Sequence, residues 1–249
     1  MLKFKDVTFR YPEDEEPMVE KLSFDVNRGE FISLIGASGC GKSTIFRLIN
    51  RLLEPEKGEI FVDGKEIGSI KSYAGYMPQK DLLFPWRTVE KNLCLPMEIQ
   101  KIGKEEQKLR VSEVLKEVGL EEYREKYPKD LSGGMRQRIS FARTLLTDAD
   151  LMLLDEPFSA LDALTRMDMQ EWLLEQWEHF HKTIVFITHD VEEAAFLSKK
   201  IYVITDTPIK ELKVEVVPEG YPRERDFLRR PDIELLKAKL TSLLRKQVV

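Results

Sequence analysis

The feature that most constrains this chain is the loop "GASGCGKST", residues 36–44, which lies between a strand-like run and a helix-like run. The preceding "EFISLIG" is almost continuously apolar, which is typical of a strand covered on both faces, and the following "STIFRLINRLL" is typical of a helix. A glycine-rich loop lets consecutive backbone N–H groups face inward and hold phosphates at the start of a helix. The order strand, loop, helix therefore predicts a nucleotide-binding α/β unit.

This loop fits the pattern G-x-x-x-x-G-K-[ST], in which each fixed position has a physical role. Lys42 can reach the β- and γ-phosphates, and the Ser43 hydroxyl can ligate Mg²⁺. Cys40 stands where a small residue is needed, so we interpret it as a packing residue whose oxidation could block nucleotide access. The loop residues predicted to bind the nucleotide are Gly36, Ser38, Gly39, Cys40, Gly41, Lys42, Ser43 and Thr44.

A second candidate segment, "LMLLDEP", ends an apolar run with two adjacent carboxylates. Strand ends at the carboxyl edge of a parallel sheet face the ligand crevice, so we expect Asp155 to hold Mg²⁺, directly or through water. Glu156 would then orient or deprotonate the attacking water. An isolated acidic pair can also simply cap a strand at the surface, and only its combination with the phosphate loop favours the catalytic interpretation.

The remaining pattern predicts a P-loop NTPase of the α/β class, with a mixed, mainly parallel core sheet. Residues 1–30 alternate apolar and polar, and "GEIFVDGKEI" predicts a hairpin turning at Asp63-Gly64, so we expect an antiparallel β subdomain. Residues 111–118 carry one apolar stripe, which predicts an inserted α-helical subdomain. The predicted divisions are a core at 1–84 and 149–205, the helical subdomain at 85–148, and a short C-terminal extension at 206–249.

Composition excludes several classes of protein. The net charge of −5 gives no support for a nucleic-acid partner. Cys40 and Cys94 are too few for a disulfide framework and have no zinc-site spacing, so a reducing cytosolic setting is expected. The N-terminus has no apolar core of a signal peptide, and every apolar run is much shorter than the ~20 residues that span a bilayer.

The segment "LSGGMRQR", residues 131–138 and here called the signature segment, lies between the two motifs. With it the chain resembles the ATP-binding subunit of an ABC transporter. Further matches occur in the family's order: Gln79 in "YMPQKD", Asp162 at the end of "SALD", His189 in "FITHD", and Tyr11 in "FRYP". Taken alone, Gln79 could be a solvated loop amide, Tyr11 a core aromatic, and His189 a strand-end histidine.

The resemblance implies a role for each of these residues. Tyr11 would stack on adenine, Gln79 would contact Mg²⁺ and place the water, and His189 would help to neutralise the γ-phosphate. Ser132 is a good N-cap for a helix beginning near Met135. The segment would bind the γ-phosphate of an ATP held by a partner subunit, in a head-to-tail dimer. The residues implied for that contact are Ser132, Gly133 and Gly134. Arg136, Gln137 and Arg138 would contact the ribose or the facing subunit, and Asp162 is a further residue implied to bind nucleotide.

The resemblance also implies partners. They are a second copy of the chain or a homologous ATPase, a transmembrane permease at the cytoplasmic face of the membrane, and indirectly an external solute-binding protein. The segment "LLFPWRTVEKNLCLPME" is either the groove for a permease helix or a buried cluster at the start of a helix, and both interpretations stay open. The sequence of these motifs is most similar to the motifs of importers of nitrate, sulfonate or taurine. A non-transport scaffold ATPase, as in iron–sulfur assembly, is the alternative.

Overall fold

The computed structural model describes residues 1–218 and 220–245, so Glu219 and residues 246–249 of the expected C-terminal extension lie outside the described residues. The strands of the described chain are β1 (Leu2–Phe9), β2 (Val19–Val26), β3 (Phe31–Ile35), β4 (Lys57–Val62), β5 (Lys65–Glu66), β6 (Ala74–Met77), β7 (Leu151–Asp155), β8 (Thr183–Ile187), β9 (Lys200–Val203) and β10 (Lys213–Val216). Its α-helices are α1 (Lys42–Ile49), α2 (Val89–Ile99), α3 (Lys104–Glu117), α4 (Gly133–Leu145), α5 (Ala163–Phe180), α6 (Val191–Leu197) and α7 (Pro231–Arg245).

The chain divides into two compact units. Unit 1 comprises Met1–Tyr73 and Leu174–Val249, and unit 2 comprises Ala74–Leu173. Helix α5 begins in unit 2 and ends in unit 1. The sequence-based division into a core, a helical subdomain and an extension remains our proposal for the functional parts of the chain.

Unit 1 contains an antiparallel sheet with the strand order β2-β1-β4-β5. β4 and β5 form the expected hairpin, whose turn residues Asp63 and Gly64 both have positive φ, 51° and 74°. Such a turn matches the twist of the flanking strands. The rings of Phe4 and Phe24 stack across β1 and β2, with centroids 4.5 Å apart. The expected antiparallel subdomain is therefore confirmed.

A second set of strands in unit 1 has the order β10-β9-β3-β8. β3 pairs in parallel with both β8 and β9, and β10 pairs antiparallel to β9. Every residue of β3 and β8 is buried, as their continuous apolar sequences predict. Because β3 and β8 are parallel neighbours, the loop after β3 and the residues after β8 leave the sheet at the same edge.

Unit 2 contains the parallel pair β6 and β7 with helices α2, α3 and α4. Helix α4 lies directly against β6 at Gly75, where an added Cβ would come within 2.8 Å of Thr144 Cγ2 and 2.9 Å of Thr147 Oγ1. β6 leads to Gln79 and β7 ends in the acidic pair, so both candidate segments follow the carboxyl ends of paired strands.

Helix α3 confirms the apolar stripe, since Val111, Val114 and Leu115 are its buried residues. Among the residues that the structure describes, no helix has both the length and the apolar character needed to cross a bilayer. The α/β fold with mixed, mainly parallel pairing and a separate antiparallel sheet is confirmed by these elements and by the solved structures compared below.

Candidate functional site

The phosphate loop connects β3 to α1 and curls around its own lysine. Gly39 and Gly41 have φ values of 80° and 104°, a left-handed backbone that favours glycine. The Nζ of Lys42 is buried and donates hydrogen bonds to the carbonyl oxygens of Gly36, at 2.8 Å, and Ala37, at 2.9 Å. The glycines predicted from the sequence therefore stand where the backbone requires them.

Tyr11 and Thr44 meet beside this loop. The Tyr11 hydroxyl lies 2.9 Å from the Thr44 Oγ1, and the Tyr11 ring packs edge-on against Phe9 with centroids 4.9 Å apart. The ring of the half-buried tyrosine is thereby held against β1, and its hydroxyl is fixed at the first turn of α1. Ser43, on the same turn, is exposed.

Cys40 packs inside the loop. It is buried, and a Cβ added to Gly36 would overlap its Sγ atom. Burial raises the pKa of the Cys40 thiol, and the nearby charge of Lys42 offsets only part of that effect. The thiol is thus held in its protonated, less reactive form at neutral pH.

His189 lies at the mouth of a cavity of 620 Å³ within unit 1. It is exposed and directly precedes Asp190, whose carboxylate caps α6 by accepting hydrogen bonds from the backbone N–H groups of Glu192, at 2.8 Å, and Glu193, at 3.2 Å. The same cavity is lined by residues 36–38 of the phosphate loop. Two segments 150 residues apart in the chain are therefore brought to one cavity, as their positions after β3 and β8 require.

In unit 2 the structure brings Gln79 and Glu156 together. The Gln79 Nε2 lies 3.5 Å from the Glu156 Oε2 and donates to the Ser159 Oγ at 3.2 Å. Glu156 has a φ of 44°, which is uncommon for any residue but glycine. Ser159 closes the turn by donating from its N–H, at 3.2 Å, and from its Oγ, at 2.9 Å, to the Glu156 carbonyl. A strained backbone thus presents the carboxylate to the glutamine.

Asp155 ends β7 and accepts a hydrogen bond of 3.2 Å from the Tyr76 hydroxyl on β6. This contact of Tyr76 was not expected from the sequence, because the sequence does not show which residues of β6 and β7 lie opposite each other. The predicted metal ligands Ser43, Gln79 and Asp155 offer hydroxyl, amide and carboxylate oxygens. Mg²⁺ prefers such hard donors and takes few of them from protein when phosphates supply others, so this donor set fits the ion.

The signature segment begins α4. The helix starts at Gly133, two residues earlier than expected, and Ser132 caps it by accepting a hydrogen bond of 3.3 Å from the Met135 N–H. At Gly134 an added Cβ would come within 3.0 Å of Thr165 Cγ2. Gln137 is 4% exposed, and its Oε1 has no hydrogen-bond partner within the described chain.

Asp162 caps helix α5. Its carboxylate accepts hydrogen bonds from the Thr165 N–H, at 3.1 Å, and from the Thr165 Oγ1, at 2.6 Å. The hydrogen bonds from the side chain and backbone of Thr165 lower the pKa of Asp162. A contact of Asp162 with nucleotide stays a prediction.

Comparison with known proteins places the chain in a family. A family model described as ABC transporter matches residues 19–159, more than half of the chain. The chain belongs to the ABC transporter family. It is 43% identical over 226 residues, 91% of this chain and 88% of the relative, to the formylaminopyrimidine import ATP-binding protein ThiZ of Halalkalibacterium halodurans. It is 41% identical over 210 residues to the aliphatic sulfonates import ATP-binding protein SsuB of Bacillus cereus, 84% of this chain and 82% of that one.

Solved structures agree with this placement. A dimeric post-hydrolysis state of the ATP-binding cassette MJ0796, bound to ADP and Pi, matches 89% of this chain and all of its own, with a TM-score of 0.74 and 30% identity. The predicted family, fold class and ATPase activity are confirmed. This ABC chain is the ATP-binding subunit of a transporter.

One cluster in this ABC subunit was not expected from the sequence. The guanidinium of Arg143 on α4 donates to the carbonyl oxygens of Asp81, at 2.8 Å, and Leu82, at 2.9 Å. The Nε of Arg136 donates to the Asp81 carboxylate at 3.2 Å. Residues 79–83, here called the glutamine loop, are thereby tied to the helix that the signature segment begins. No sequence motif predicts an arginine that binds backbone carbonyls 61 and 62 positions away in the chain.

Proposed function

We propose that this subunit hydrolyses Mg-ATP to drive import of a small solute through a separate permease. The observation that supports the proposal best is the placement of Gln79 against Glu156, within a turn whose backbone is strained at the glutamate. Strained backbone clusters at active sites and persists only where the surrounding contacts enforce it.

The nucleotide would be held by unit 1. Tyr11 would stack on adenine, since its ring is already supported on one side by Phe9. The N–H groups of the phosphate loop would take the α- and β-phosphates and the Lys42 ammonium the β- and γ-phosphates. Ser43, Gln79 and Asp155 are proposed as the Mg²⁺ ligands, and the ion would neutralise charge on the β- and γ-phosphates.

Hydrolysis needs a positioned water and stabilisation of charge on the phosphoryl group. Glu156 would accept a proton from the water as its oxygen bonds to the γ-phosphorus, while the bond from that phosphorus to the bridging oxygen breaks. Gln79 would orient the water, and Lys42 and His189 would face the charge on the γ-phosphate. The products are ADP and phosphate.

A second copy of the chain, or a homologous ATPase, would complete each site. Helix N-termini attract phosphate, and at the first turn of α4 Ser132 is exposed and Gly133 is half-buried, whereas Gly134 is buried against Thr165. The buried Gln137 Oε1, which lacks a hydrogen-bond partner in the described chain, lines a cavity of 650 Å³ that Gly133 and the glutamine loop also line. A ribose hydroxyl of a nucleotide bound by the facing subunit would donate a hydrogen bond to that oxygen. Asp162 would contact the facing subunit as well.

The permease is proposed to dock on the apolar segment after the glutamine loop. Trp86 is 72% exposed and Leu82 is 58% exposed, and the rings of Phe84 and Trp86 lie 5.2 Å apart. Two large exposed apolar side chains four positions apart in the chain favour the groove interpretation over the buried cluster. Docking there would hold the subunit at the cytoplasmic face of the membrane.

The solute is chosen by the permease and by an external binding protein, neither of which this chain encodes. Relatives are named for import of formylaminopyrimidine and of aliphatic sulfonates, and for transport of glycine betaine or carnitine. We propose a small solute of this kind, with nitrate, sulfonate and taurine as the first to test. Detergent extraction of membranes tests the role itself: co-purification with a polytopic protein supports import, whereas recovery only in soluble complexes favours the scaffold alternative.

The experiment that tests the catalytic proposal is Glu156→Gln. Its amide occupies the same volume but accepts no proton, so Mg-ATP hydrolysis should fall by about 100-fold or more. ATP binding should persist and a nucleotide-bound dimer should accumulate. Glu125→Gln, an exposed glutamate outside every candidate segment, is the matched control. Undiminished hydrolysis by Glu156→Gln would remove this glutamate from its role.

A further inference from the structure

The C-terminal helix α7 ends beside the phosphate loop of its own unit. Its last turn contributes Thr241, Leu244 and Arg245 to the wall of the 620 Å³ cavity that residues 36–38 and His189 also line. The described residues that line the cavity include a hydroxyl, an imidazole and a guanidinium, and no carboxylate. The chemistry of this cavity suits an anion.

Helix α7 is held in this position by packing and by an ion pair. Ile233 and Leu240 are completely buried. The Nζ of Lys237 lies 3.0 Å from the Glu192 carboxylate on α6, the helix that begins just after His189. The last turn of α7 is therefore fixed relative to the histidine.

The segment before α7 is attached to α6 as well. Arg223 is buried, and its Nη1 donates to the carbonyl oxygens of Ala195, Phe196 and Ser198 at 2.9–3.1 Å. These carbonyls belong to the end of α6, where a cation is also favoured by the helix dipole. Arg223, which precedes α7, and Lys237, which lies within it, thus both contact α6 or the residue that ends it.

Arg245 differs from the other arginines of this region. It is exposed and makes no hydrogen bond or ion pair with any other residue in the described ranges. A helix C-terminus carries partial negative charge and would repel phosphate, and a guanidinium on the last turn reverses that sign. Arginine also offers a planar fork of donors that matches phosphate oxygens.

We infer that Arg245 is a further nucleotide-binding residue, which donates to the terminal phosphate of the ATP held by the phosphate loop of the same chain. The inference rests on the proposed function of that loop. Arg245 lines the same cavity as His189, which is proposed to face the γ-phosphate. Arg245 therefore distinguishes ATP from ADP.

The test uses the full chain and four variants: Arg245→Ala, Arg245→Lys, Lys42→Ala and, as a matched exposed arginine, Arg229→Ala. ATP and ADP are titrated in competition with a fluorescent ATP analogue. Arg245→Ala should weaken ATP binding about fivefold, the scale of one exposed charge contact, and change ADP binding less than about twofold. Arg245→Lys should recover most of the affinity, and Arg229→Ala should behave as the parent chain.

Two outcomes would overturn the inference. One is an ATP affinity of Arg245→Ala that equals that of Arg229→Ala. The other is tighter ATP binding by Arg245→Ala than by the parent chain, which would show that the end of α7 hinders ATP binding. Lys42→Ala separates this from failure of the proposed function: if it binds ATP as well as the parent chain does, the phosphate loop is not the site. Far-UV circular dichroism checks that α7 is retained in each variant.

Discussion

Arg143→Met is the substitution that best tests how the glutamine loop is held. The guanidinium donates to two carbonyl oxygens of the loop, at Asp81 and Leu82. After substitution the Asp81 carbonyl keeps the Ser140 hydroxyl, at 3.2 Å, whereas the Leu82 carbonyl has no second donor among the described residues. Leu82 also has a left-handed φ of 45°, which costs about 1 kcal/mol or more and persists only if surrounding contacts enforce it.

The magnitude follows from these contacts. A hydrogen bond from a charged donor contributes about 1.5–3 kcal/mol, so losing two would cost about 3 kcal/mol or more. Burial lowers the pKa of Arg143, and the charge of Asp81 opposes the shift. Burial of the positive charge therefore costs free energy in the folded state. Removing that penalty offsets part of the loss, and the net destabilisation should be about 2 kcal/mol. For a chain of this size that corresponds to a fall in Tm of roughly 4–8 °C.

The assay is thermal unfolding followed by circular dichroism, with ATPase measurements on the same samples. Arg229→Met, whose side chain is 84% exposed, is the control and should leave Tm unchanged. Arg143→Lys, which keeps the charge but not the fork, should lie between the two. Turnover should fall in Arg143→Met while ATP affinity is retained, because the loop positions Gln79 and the nucleotide is proposed to bind to unit 1. A Tm equal to that of the control would refute this account of the loop.

Three further outcomes are expected. Ser132→Ala removes the cap on the Met135 N–H and should lower stability by about 1 kcal/mol, measured by urea unfolding, and should reduce turnover more than ATP binding; Ser132→Asn should restore the cap. Trp86→Glu should leave the ATPase of the isolated chain unchanged and abolish co-purification with the permease. The Tyr202 hydroxyl donates to the Asp25 carbonyl at 2.7 Å, and burial, with the charges of Glu30 and Asp25, raises the pKa of Tyr202 to about 12. Its contribution to the free energy of unfolding is complete below pH 10 and is lost as the pH rises through about 12. Tyr202→Phe should therefore make the free energy of unfolding less dependent on pH between these two values.

The sequence predicts this fold well where local pattern and burial agree. "EFISLIG" and "TIVFI" are almost continuously apolar, and the strands that they contain, β3 and β8, are completely buried. The Asp63-Gly64 turn is predictable because few residues accept positive φ in two successive positions. The phosphate loop and the signature segment are predictable because glycine is needed there for reasons of backbone geometry and close approach.

What the sequence does not predict depends on contacts between distant segments. Arg143 reaches carbonyls that any residues at 81 and 82 would provide, so no residue type signals the contact. The strained φ of Glu156 follows from the turn that Ser159 closes, and nothing in the letters "DEP" announces it. The approach of Arg245 to the phosphate loop depends on how α7 packs on α6, and an arginine on the last turn of a helix is ordinarily solvated.

The close fit at Gly75 has a mechanical consequence. Because Gly75 has no side chain, the backbone of β6 lies directly against the threonine side chains at the end of α4. No long, flexible side chain lies at this contact to accommodate a displacement. The strand that leads to Gln79 and the helix that begins at Gly133 are therefore in direct contact at Gly75. A displacement of one element at this point displaces the other, so the two segments that they position are mechanically linked within unit 2.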